Sequence, residues 1–322
     1  MIQSAAGDDK ASTISRLRTS QGRRNFIRGL GLGAGAAVLG LAGKSATKAM
    51  AQSADLDVAI LTFALNLEYL EAEYYINATR GVGLPPEDIG SNPGQVIGGS
   101  LVNFSDPTIE AYAIEIAHDE HKHVKFLRAA LIAATGSCIS RPEIDLTNSF
   151  VTLGQAAKIS NKFNPYENDL TFLLGSYVFE DVGVTAYHGA APLITSKLYL
   201  DKAAGILAVE AYHAGIIRSV LFSMGQNPAT QAISAVRATL DGTIGTRNLD
   251  DFGVGTTTLS SLVVAGDDSN GGLLGGFPSD SPPGDNAIAF DRSTRQVLNI
   301  VYGAPNASKG LFFPSGLNGA IK

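Results

Sequence analysis

The sequence predicts an all-α protein: a four-helix bundle with a long crossover between the second and third helices, and an irregular C-terminal extension carrying short helices. Three observations predict it. Four segments, at about 55–79, 107–135, 167–189 and 197–224, place apolar residues at spacings of three and four. Each is closed by turn-forming residues: "RGVGLPPEDIGSNPG", "TGSCISRPEID", "APLITS" and "MGQNPAT" in order. The second and third segments are joined by about 30 residues, as a bundle with a crossover requires.

The boundaries have local causes. Asp106-Pro107 and Ser196 suit helix starts, because a short polar side chain can accept from the first free amides. Gly136 and Gly225 suit helix ends, where a left-handed residue stops the ladder. Beyond 225, "TQAISAVRATLDG" and "FDRSTRQVLNIVYG" read as two further helical pieces. The Gly/Ser/Asp/Pro-rich stretch 253–286 lies between them, as an irregular layer over the bundle or as a disordered link. The expected division is 1–51, 52–225 for the bundle and 226–322 for an extension packing on it.

Segment 1–51 has a different character. "RRNFIRGLGLGAGAAVLGLAG" joins an arginine pair to a Gly/Ala/Leu run, short for a membrane span. Ala49 and Ala51 form a small-x-small cleavage pattern before Gln52. Arg23, Arg24, Phe26 and Ile27 resemble a bacterial twin-arginine export signal. That resemblance implies passage through the twin-arginine machinery and a periplasmic or secreted product; an uncleaved anchor is the alternative. The segment holds eight of the 24 basic residues and two of the 30 acidic ones. Its removal leaves 16 basic and 28 acidic residues, a net of −12, which repels nucleic-acid phosphates. The single cysteine, Cys138, excludes an intramolecular disulfide framework and a cysteine-built zinc or iron–sulfur site.

The chemistry concentrates in "HDEHKHV". On the second helix Ile109, Ala113, Ile116, Val124, Leu127, Leu131 and Ala134 form one apolar stripe, with Glu120 and His123 inside it. Glu115, His118, Lys122 and Lys125 form a separate polar stripe. A carboxylate on a buried stripe costs several kcal/mol, roughly, unless compensated, and a metal ion compensates it. At i, i+3 both side chains reach one ion. The fourth helix repeats the arrangement with Glu210 and His213. An arginine sits five residues after each histidine (Arg128 and Arg218), and a leucine eight after (Leu131 and Leu221). The first and third helices share another signature, an acid with a tyrosine seven residues on: Glu68 with Tyr75, and Glu180 with Tyr187. Glu71 lies one turn from Glu68 near the same face, so the choice between them stays open, with Glu68 preferred. Glu73 falls with Asn66, Asn77 and Arg80 on the side expected to face solvent. His118, His121 and His188 are expected at the surface or behind the ligands. Tyr75 and Tyr187 are either ordinary core tyrosines or hydrogen-bond donors to the acids.

Residues 55–225 resemble a ferritin-like domain, "NLEYLEAEYY" being similar to the first ligand segment of ferritins. With "TRQVLNIVYG" and "FFPSGLNG" the whole chain resembles the desiccation-related branch of that superfamily. The resemblance implies Glu68, Glu120, His123, Glu180, Glu210 and His213 as ligands of two metal ions, with Glu120 and Glu210 bridging. Oxygen-rich sites with one imidazole per ion suit iron or manganese. It further implies redox chemistry with oxygen or peroxide, of oxidase, peroxidase or catalase type, in stress protection. The alternatives are a non-catalytic desiccation or stress protein with a structural metal, and a metal-sequestering protein. A rubredoxin-fed peroxidase would need four cysteines. A storage cage would have to accommodate the long acidic tail. Self-association is left open.

Overall fold

The computed structural model describes residues 45–242, 251–255 and 289–322, with side chains from 55 onward. The chain divides at Ser53/Ala54, and the architecture below is that of the second unit, Ala54–Lys322. Most of the signal-like segment 1–51, and most of the stretch 253–286, lie outside the described residues.

Four long helices match the four periodic segments: α1 (Ser45–Arg80), α2 (Pro107–Thr135), α4 (Asp169–Ala190) and α5 (Lys197–Ser223). The crossover between α2 and α4 carries a short helix, α3 (Asn148–Ala156). The tail adds α6 (Asn227–Leu240) and α7 (Thr294–Tyr302). The predicted caps form as expected. The Asp106 side chain accepts from the Thr108 amide, and the Ser196 side chain from the Tyr199 amide. Gly136 ends α2 at φ 81°, and Gly225 follows α5 at φ 69°.

Two elements carry no helical period and were not anticipated. Strand β1 (Val96–Ile97), in the loop after α1, pairs in parallel with β2 (Ile144–Asp145) of the crossover, Val96 against Ile144. This staple presses the crossover onto α1. Arg141 then reaches inward to form an ion pair with Glu73, which is fully buried. The expectation that Glu73, Asn66 and Asn77 face solvent is therefore corrected. Asn66 exchanges hydrogen bonds with the backbone of Asn318 at 2.9 and 3.0 Å, and Asn77 is buried as well. Of that group only Arg80 is exposed. Ala134, assigned to the apolar stripe of α2, is also exposed, since burial on that face ends at Leu131.

Helix α4 is buried continuously from Phe172 to Thr185, as expected of a helix covered on every side. Its inner face meets α5 and the ligand cluster, and its outer face meets the tail. Phe312 packs edge-to-face against Phe179 and Phe150 at ring distances of 5.0 and 5.3 Å. Three buried arginines clamp the tail to the bundle. Arg218 donates to Asp181 at 2.9 Å, Arg237 to Asp181 and Asp251 at 2.7 Å each, and Arg292 to Asp251 at 2.6 Å. Buried charges persist only when paired in this way.

Candidate metal centre

The bundle interior brings the six predicted residues together in two overlapping groups. Ligand-type atoms of Glu68, Glu120, His123 and Glu210 lie within 4.8 Å of one another, and so do those of Glu120, Glu180 and His213. All six residues are buried. Glu120 belongs to both groups, and its two oxygens divide between them. Oε2 lies 3.3 Å from His123 Nδ1, and Oε1 lies 3.1 Å from His213 Nδ1. On the first side His123 Nδ1 also stands 3.1 Å from Glu68 Oε2 and 3.7 Å from Glu210 Oε1. On the second, His213 Nδ1 stands 3.3 Å from Glu180 Oε2. Glu71 is buried beside the cluster but stands in neither group.

The proximity is not explained by hydrogen bonding alone. Glu120 Oε1, Glu180 Oε2, both oxygens of Glu210 and His213 Nδ1 are buried without a hydrogen-bond partner among the described residues, although several stand within 3.3 Å of one another. Such atoms point at shared space rather than at each other. Orphaned buried carboxylates are costly, so the arrangement fits a cation between them. The charges fit as well: four glutamates balance two divalent ions when both imidazoles are neutral.

The surroundings orient this set. Each tyrosine donates across the bundle rather than to the acid of its own helix: Tyr75 of α1 to Glu180 of α4, and Tyr187 of α4 to Glu68 of α1. Each terminal carboxylate thus has one oxygen anchored and one facing the cluster. Behind His213, Nε2 lies 3.4 Å from Asp119 Oδ2, which favours the proton on Nε2 and leaves Nδ1 for the centre. Gly183 clears the remaining space: a Cβ there would stand 2.2 Å from Glu210 Oε2. Sequence reasoning missed Gly183, although it holds the position in α4 that Glu71 holds in α1. It also missed Asp119 as a partner of His213.

The metal-free electrostatics are strained. Burial pushes Glu68 up to about 7 against the pull of His123, and burial together with Glu120 and Glu71 pushes Glu210 well above the carboxylate range. Burial alone would lower both histidines. Glu68 and Glu120 nevertheless carry His123 up to about 12, and Glu180 and Glu120 carry His213 up to about 11. Against its own burial, Glu120 is held below its usual range by the two imidazoles. Without a metal, protons supply the compensating charge.

Of the other histidines, His118 is exposed, and His121 is half-buried, its Nε2 2.7 Å from Asp88. His188 is half-buried at the end of α4.

Comparison with known proteins agrees with the geometry. Residues 56–223 match the ferritin-like domain family. The chain is 31% identical to the desiccation-related protein PCC13-62 of Craterostigma plantagineum, over 82% of this chain and 83% of that protein. It is 29% identical to the ferritin-like catalase Nec2 of Nesocodon mauritianus, over 83% of this chain and 85% of that protein. No solved structure matches. A bundle of this topology, with Glu-x-x-His on two helices and a glutamate on each of the others, belongs to the ferritin-like family.

Proposed function

We propose that Glu68, Glu120, His123, Glu180, Glu210 and His213 hold two iron or manganese ions, and that the loaded centre turns over hydrogen peroxide or dioxygen in stress protection. The observation that carries this reading is Glu120, buried with its two oxygens aimed at two different histidines. A similar protein bearing the name ferritin-like catalase supports the peroxide branch. Oxygen-rich coordination with one imidazole per ion favours iron or manganese. Bound there, the ions would supply Lewis acidity and one-electron redox steps.

The chain's own contribution is positional. Glu120 spans the two groups, Glu68 and Glu180 are fixed by Tyr187 and Tyr75, and His213 keeps its proton at Nε2 toward Asp119. Burial of all six excludes bulk water, which strengthens every interaction inside.

Elemental analysis of purified protein tests the reading, with about two ions per chain expected. Peroxide decay then tests turnover, and Glu120→Ala should abolish both. A second reading, a non-catalytic desiccation or sequestering protein, is favoured by the similarity to PCC13-62. It predicts metal in place with no peroxide consumption. Export through the twin-arginine route belongs to the same proposal. Intact-mass measurement of the exported protein should place its N-terminus at Gln52, and a retained 1–51 segment would refute cleavage.

A further inference from the structure

A small cavity of about 30 Å³ lies between α1 and α4, under α7 and Phe312. Its walls are apolar, among them Leu67, Val182, Ile300 and Phe312, with Glu71 the one acid on them and Tyr187 the one hydroxyl. Glu71 is 6% exposed and accepts no hydrogen bond from any described residue. A buried carboxyl without a hydrogen-bond partner among the described residues calls for a small polar molecule beside it. The cavity has room for one molecule about the size of water.

The internal repeat separates Glu71 from the ligand set. Glu68 corresponds to Glu180, Tyr75 to Tyr187, and the Glu-x-x-His pairs to each other, so Glu71 corresponds to Gly183. The six-residue cluster is complete without it. Yet the cavity touches that cluster twice: the Tyr187 hydroxyl donates to Glu68, and Gly183 packs against Glu210 Oε2. A molecule held at Glu71 stands one side chain away from the ligands.

We infer that this cavity is the selectivity chamber of the centre: it admits hydrogen peroxide, holds it at the Glu71 carboxyl, and excludes organic hydroperoxides. The inference rests on the redox-metal reading above. Hydrogen peroxide donates and accepts hydrogen bonds and is little larger than water. Dioxygen gains nothing from a carboxyl, and an alkyl hydroperoxide exceeds the volume.

The test compares hydrogen peroxide with tert-butyl hydroperoxide on the metal-loaded full chain, and adds a high-resolution crystal structure of the metal-free protein. Wild type should consume only the small peroxide. Val182→Ala and Phe312→Leu, which widen the walls, should raise the relative rate with the organic substrate at least about tenfold. Glu71→Leu should raise KM for hydrogen peroxide about tenfold with metal content unchanged, and Glu71→Gln should restore most of it. The crystal should show an ordered solvent molecule on Glu71 that Glu71→Leu lacks. Metal in place without any turnover overturns the parent reading, and this inference with it. Turnover with unaltered selectivity and KM in these variants overturns the chamber alone, as does a crystal in which Glu71 bonds to protein and no solvent enters.

Discussion

Loading the metal-free protein with two divalent ions at pH 7 should expel at least about two protons per chain. The count comes from the cluster itself. With His123 raised to about 12 and His213 to about 11, both imidazoles are protonated at neutral pH. Glu210, pushed well up by burial and neighbouring acids, and Glu68, at about 7, add to that number. All four groups must be deprotonated to ligate. Isothermal titration in two buffers of different ionisation enthalpy measures the number released. Release of fewer than about two would show that the histidines are not ligands, or are not held protonated by the glutamates.

The same protons set the sign of the pH dependence. A raised folded-state pKa contributes stability that is fully present below the unfolded value and is lost as pH rises through the folded one. For Glu68 that window runs from 4.5 to about 7, and for the histidines from 6.5 to about 11 and 12. The metal-free protein should therefore lose stability between pH 6 and 8, at about 1.4 kcal/mol per pH unit for each histidine above pH 6.5. The metal-loaded protein should show the opposite trend, since its ligands bind as they lose protons. Denaturant midpoints at pH 6 and 8, with and without metal, measure both slopes; parallel slopes would refute the argument.

Gly183→Ala should weaken metal binding about tenfold or more while changing the melting temperature of the metal-free protein little, because the added methyl meets only the mobile end of Glu210. Competition with a chelator reads the affinity. Arg141→Met should cost about 3–5 kcal/mol in denaturant unfolding, since it strands the buried Glu73 carboxylate. Arg237→Met should cost about 3 kcal/mol, the lower end of that range, because Asp181 keeps Arg218 and Asp251 keeps Arg292. Unfolding costs below about 1 kcal/mol in either arginine variant would refute the pairing.

What could be read in the sequence was whatever a helix repeats. Glu120 and His123 stand out because their helix has a period, and Glu210 and His213 because the pattern recurs. Glu73 was misplaced because its burial comes from Arg141, 68 residues away, and Asn66 because its cover comes from Asn318, 252 residues away. A helix face shows which residues are apolar, and says nothing of which polar ones a loop will later cover. Strands of two residues are too short to alternate, so β1 and β2 left no trace. The tyrosines were found by their spacing of seven from a glutamate, yet each serves the other helix's acid.

The repeat also separates holding a metal from using it. Matching positions of the two halves supply the six clustered residues, the two tyrosine anchors and a pair of supporting arginines. Arg128 donates to Tyr69, which follows Glu68, and Arg218 donates to Asp181, which follows Glu180. A symmetric shell of this kind would be sufficient to fix the two proposed ions. The halves differ where Asp119 faces Val209 in the alignment, and where Glu71 faces Gly183. Of the two clustered histidines Asp119 reaches His213 alone, and Glu71 lines a cavity on one side of the cluster. Two ions in such a frame would be inequivalent, with one imidazole backed by an acid and one flank next to a cavity that carries the Glu71 carboxyl. A structural metal needs neither difference. Chemistry on a small oxidant would need space for it beside the ions, and Glu71 lines such a space on one side.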